Sequence, residues 1–90
     1  SQEFAPLKSA RALKILNALL SEPQSKRELL VNILGLTVQV YNYQKFIEPL
    51  MVHNLIVQTI KDKPRSPKQK YAITLLGYYF LSYLNRTSVK

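Results

Sequence analysis

Five cations fall within ten residues, at Lys61, Lys63, Arg65, Lys68 and Lys70, against one carboxylate, Asp62. Cations at that density suit one kind of chemistry, the neutralisation of phosphates with release of their counterions. Pro64 and Pro67 lie inside the run and are expected to hold it extended and stiff. Arg65 is placed to enter a minor groove, whose potential is negative. The same charges also suit a loop that is merely solvated. A second group is Gln39, Tyr41, Asn42, Gln44 and Lys45. Asparagine and glutamine bond an adenine edge through two hydrogen bonds, and lysine reaches guanine or phosphate. For each of these an ordinary solvated helix face is the competing reading. Lys26 and Arg27 follow Ser25 where a helix starts, which suits either a phosphate contact or simple capping.

Other chemistry has little to draw on. His53 is the single histidine and there is no cysteine, so thiolate ligands, disulfides and a cysteine nucleophile are excluded. A metal site would need a second ligand of comparable strength, and His53 reads as a partner for helix-end carbonyls. A Ser/His/Asp set would have to recruit Asp62 from a solvated loop. No catalytic residue, metal or cofactor is therefore expected.

Helical spacing of Leu13, Leu16 and Leu20, widened by Ala12, Ile15 and Leu19, predicts an amphipathic helix over 9–22 ended by Pro23. Ser25 and Glu28 have the spacing of a capping box. A second helix follows with Leu29, Leu30, Ile33 and Leu34 inward, and Gly35 closes it. Thr37 is the expected N-cap of a third helix running to His53, with Ile47, Leu50 and Met51 inward. Pro49 should bend it or move its start towards Glu48. Asn54 suits a left-handed exit. Alternation then predicts strands at 55–60 and 71–74, a hairpin around the basic loop. Thr74 caps a last helix to Leu84, and residues 86–90 should fray. The expected fold is α+β, mostly α: a winged helix-turn-helix with three helices, a two-stranded wing and a C-terminal helix. It should span residues 9–85, between an N-terminal extension (1–8) and a tail (86–90).

The 90 residues carry 13 Lys+Arg and 5 Asp+Glu, a net +8, with 47% hydrophobic residues. That supports one domain, which buries only about 60–65% of its unfolded surface and has little to spare for a deep cavity. No apolar run approaches the roughly 20 residues of a membrane span. The first four residues lack signal-peptide features. The only methionine is Met51, which reads as a fragment of a longer protein or a start removed with a tag.

The stretch Leu50-Met51-Val52-His53-Asn54-Leu55-Ile56 resembles the exit from the recognition helix of many winged-helix regulators, with Asn54 where glycine is usual. Further on, Asp62-Lys63-Pro64, Ser66, Gln69-Lys70-Tyr71, Thr74 and Gly77 resemble the C-terminal winged-helix domain of Fic-family (filamentation induced by cAMP) proteins. The same domain ends Schlafen-like AlbA-type regulators with DNA-helicase-related descriptions. Lys61 departs from the pattern, standing where proline is usual, and Leu75-Leu76 replaces a polar pair. The resemblance implies that nucleotide transfer, which needs a His-Pro-Phe loop, belongs to a part of the parent outside this chain.

These readings lead to a DNA-binding domain of a bacterial or archaeal transcriptional regulator, cytoplasmic and without enzymatic activity. Double-stranded DNA is its expected partner, through Lys26, Arg27, Gln39, Asn42, Gln44, Lys45, Lys61, Lys63, Arg65, Lys68 and Lys70. The alternative is a protein-interaction, dimerisation or regulatory module with no DNA contact. It rests on the last helix, apolar around nearly its whole circumference, where Leu76, Tyr79 and Tyr83 would contact a second copy or an upstream parent domain.

Overall fold

The computed structural model describes residues 9–87, so the expected extension at 1–8 and the tail beyond Thr87 lie outside the described residues. Helix α1 spans Ala10–Leu19. The Ser9 hydroxyl accepts from the Ala12 amide at 3.2 Å, satisfying one of the free donors of the first turn. Its buried face is Ala12, Ile15, Leu16 and Leu19. Leu20 is exposed, contrary to the expected stripe. The helix closes three residues before Pro23 when the Leu20 amide reaches back to the Asn17 carbonyl, a tighter turn that swings Leu20 outward.

Helix α2 spans Glu28–Ile33 and opens with the expected capping box. The Glu28 carboxylate accepts from the Ser25 amide at 2.8 Å, and the Ser25 hydroxyl accepts from the Glu28 amide at 3.1 Å. Its turns are wide: the Leu34 amide reaches the Leu29 carbonyl, five residues back. Gly35 ends it at φ +69°, as expected of a left-handed cap.

Helix α3 covers residues 40–52 in three continuous pieces, Val40–Asn42, Tyr43–Ile47 and Glu48–Val52. Pro49 does not interrupt it, and the last α-helical piece starts at Glu48 with the proline in its first turn, as expected. Proline has no amide for the Lys45 carbonyl and its ring crowds that carbonyl. The preceding turn widens instead, and the Glu48 amide bonds the Tyr43 carbonyl. Thr37 does not cap α3 as expected. Gln39 is the extended residue before it (φ −120°, ψ 151°), while the Thr37 carbonyl and hydroxyl receive the Asn42 side-chain amide at 2.9 and 3.2 Å.

Asn54 turns the chain at φ +62°. Strands β1 (Ile56–Gln58) and β2 (Tyr71–Ile73) then pair antiparallel, Ile56 with Ile73 and Gln58 with Tyr71. Gln24, in the α1–α2 connection, exchanges two backbone bonds with Tyr71 at 3.0 and 2.7 Å. That isolated bridge ties the helix-turn-helix to the hairpin. Helix α4 spans Leu75–Thr87, so Arg86 continues the helix where fraying was expected. The Thr74 hydroxyl accepts from the Gly77 amide at 2.9 Å and donates to the Asn54 carbonyl at 2.6 Å.

Ile15, Leu16, Leu29, Leu30, Ile47, Leu50 and Leu81 are fully buried, one core drawn from all four helices. Four helices with a two-stranded hairpin between α3 and α4 make the expected α+β, mostly helical architecture in winged-helix order. Among the described residues no helix is long and apolar enough to cross a membrane.

Candidate nucleic-acid interface

The basic loop between β1 and β2 is not extended, as its prolines suggested. It folds into successive turns, with the Ser66 amide on the Lys63 carbonyl and the Gln69 amide on the Ser66 carbonyl, each at 3.0 Å. What fixes it is a residue that sequence reasoning passed over. Gln69 is only 7% exposed. Its Oε1 accepts from the Ile60 amide at 2.9 Å, and its Nε2 donates to the carbonyls of Ile60 at 2.6 Å and Lys63 at 3.1 Å. One carboxamide thus replaces a missing strand partner across the base of the wing. A signal existed in Gln69-Lys70-Tyr71, but a glutamine between two lysines reads as solvated. Replacing Gln69 with alanine leaves a buried amide and two carbonyls short of partners, a loss of about 1–3 kcal/mol. The expected result is faster amide exchange at Ile60 and in the wing; unchanged protection there would contradict the brace.

The brace presents Lys61, Lys63, Arg65, Lys68 and Lys70 outward, all exposed. Between the wing and the entrance of α2 lies a cleft of about 700 Å³. Ser25, Lys26 and Arg27 form one wall, Pro64, Arg65, Ser66 and Pro67 the other, and Tyr43, Gln58, Gln69 and Tyr71 the remainder. The fold therefore brings Lys26, Arg27 and Arg65 to one opening. The Lys26 ammonium lies 5.4 Å from the centroid of the Tyr43 ring, an attraction that steadies a flexible chain. Burial first, and then hydrogen bonding with Tyr71, pushes the Tyr43 hydroxyl well above the ordinary phenol value, so it stays neutral there. The Ser25 backbone amide holds the Glu28 carboxyl below its usual range. That carboxylate serves the cap, and the charge of Lys70 lowers its pKa a little further.

The expected base-reading residues divide. Gln39, just ahead of α3, and Gln44, on it, are exposed, and the Gln39 side chain makes no capping bond. Asn42 has its amide nitrogen on Thr37, as above, which turns its donors away from an incoming ligand. Lys45 donates to the Tyr41 hydroxyl at 3.2 Å and lies over the Tyr41 and Phe46 rings. None of these four lines the cleft, nor do Lys61, Lys63, Lys68 and Lys70. Glu48 is exposed in the second half of α3, so only the first half suits an anionic surface.

On α4, Leu75, Leu76, Tyr78, Tyr79 and Tyr83 are exposed, while Leu81 and Leu84 are buried. The Tyr78 and Tyr79 rings meet edge to face at 5.8 Å. Among the described residues no group of three His, Cys, Asp or Glu side chains could hold a metal.

Fold and surface together define a winged-helix domain with a cationic cleft between its wing and its second helix. The chain belongs to the Fic-like C-terminal domain family: the model for the C-terminal domain of filamentation induced by cAMP protein Fic-like matches residues 11–74. No curated protein and no solved structure matches it. The match supports the Fic-like half of the sequence resemblance and lends nothing to the AlbA-type half. A domain of this family is an accessory one, with the catalytic Fic motif in another domain.

Proposed function

We propose that this domain binds double-stranded DNA, and so equips a Fic-like protein of the bacterial cytoplasm to act as a transcriptional regulator. The first half of α3 enters the major groove. The wing and the α2 entrance hold the phosphates beside it. The observation that carries the reading is the gathering of Lys26, Arg27 and Arg65 around one opening, beside four further exposed wing cations. Convergent cations from separate elements match a phosphate backbone better than a merely solvated loop requires. The domain itself performs no catalysis in this reading.

A second reading has its own observation. Leu75 is 68% exposed and Tyr79 60%, and such a patch fits a second copy or the parent protein. Polarisation of a labelled mixed-sequence duplex, titrated with the domain at low and moderate salt, separates the two. Salt-sensitive binding by a species of monomer mass supports DNA recognition. No binding, together with a dimer mass in size exclusion, supports the α4 interface instead.

A further inference from the structure

Helix α3 opens on a turn that the core does not use. Val40 is 71% exposed and Tyr41 63%, and Val38 just ahead of them is also exposed. Polar Gln39 and Gln44 flank this turn. Residues three apart on a helix are surface neighbours, so Val40, which does not itself line the cationic cleft, lies one turn from Tyr43, which does. An apolar turn beside a phosphate-binding surface needs an apolar feature on the ligand. The base edges of a major groove offer one, the C5-methyl of thymine.

The polar side chains around it narrow the choice further. Lys45, suited to guanine, is tied to the Tyr41 hydroxyl at 3.2 Å. Asn42 has its amide on Thr37. What remains at the front of α3 is valine methyls, the Tyr41 ring and the carboxamides of Gln39 and Gln44. Methyls match thymine, and carboxamides match adenine N6 and N7.

We infer that the first turn of α3 selects A·T pairs, with Val40 against a thymine methyl and Gln39 or Gln44 on an adenine edge. The inference rests on the DNA-binding reading and gives that reading its base preference. The probe is a duplex two helical turns long, made of A·T pairs in mixed order, beside the same duplex with deoxyuridine for every thymidine. That exchange removes only the methyls. Wild type should bind the thymine duplex about four-fold more tightly for each methyl covered, and Val40→Ser, which has no side-chain methyl, should bind both alike. Val40 is exposed, so the variant should keep its circular dichroism and melting temperature. Equal wild-type binding to both duplexes overturns the inference and leaves DNA binding standing. Discrimination that survives in Val40→Ser overturns the role of Val40. Failure to bind any duplex overturns the DNA reading beneath it.

Discussion

Reversing three wing charges, with Lys63, Arg65 and Lys68 each replaced by glutamate, is expected to abolish duplex binding and leave the fold intact. All three side chains are exposed, so substitution there should change stability by no more than about 0.5 kcal/mol. Their effect on affinity is much larger. Each reversal removes an attraction to phosphate and adds a repulsion, and the chain falls from +8 to +2 (three reversals of two units each). A loss of more than about 100-fold at low salt is the expected scale, since even a few phosphate contacts dominate non-specific affinity. Lys14→Glu with Arg86→Glu is the control, exposed cations on α1 and α4 away from the cleft. That pair should weaken binding far less. Equal losses from the two sets would mean that net charge, and not the wing, holds the DNA.

Gly77→Ala should destabilise the fold strongly for a single added methyl. A Cβ at residue 77 runs into the Leu55 carbonyl oxygen and comes within 2.9 Å of the Ile73 side chain. The obstacle is backbone at the root of the hairpin, so no side-chain rotation relieves it. The Leu55 carbonyl is also held by the Thr74 amide at 3.0 Å. Overpacking of this kind costs about 1–3 kcal/mol. For a domain of this size the upper end corresponds to a melting temperature lower by roughly 15 °C. Leu76→Ala, one residue away and exposed, should barely move it. A Gly77→Ala melting curve that overlays the wild type would mean that α4 does not seat against the hairpin as described.

Local signals in the sequence are legible wherever one residue type has one backbone use. Ser25 and Glu28 form their reciprocal cap, Gly35 and Asn54 take positive φ, and Thr74 starts α4. The hairpin is legible from alternation, though its first strand is three residues shorter than the apolar pattern and its second one residue shorter. Contacts between distant segments were not legible. The Gln24 bridge to Tyr71 is a single residue after Pro23, too short to alternate. The burial of Gln69 depends on carbonyls six and nine residues away, in a loop whose charges advertise solvent. Pro49 announced a disturbance in α3, but only the fold decides between a bend, a new start and a widened turn. The same limit applies to the interface. Lys26, Arg27 and Arg65 were each plausible alone, and what they form together is a product of how α2 and the wing pack. Asn42 had the right chemistry for a base and turned out to be engaged with Thr37.

In the proposed complex Arg65 and the α2 entrance grip phosphate as one surface. The most direct test of that grip is the salt dependence of duplex affinity for wild type and for Arg65→Gln, plotted as the logarithm of the binding constant against that of salt concentration. Wild type should give a steep negative slope, and Arg65→Gln should be shallower by about one unit, the mark of one lost phosphate contact. Two parallel lines would contradict the claim.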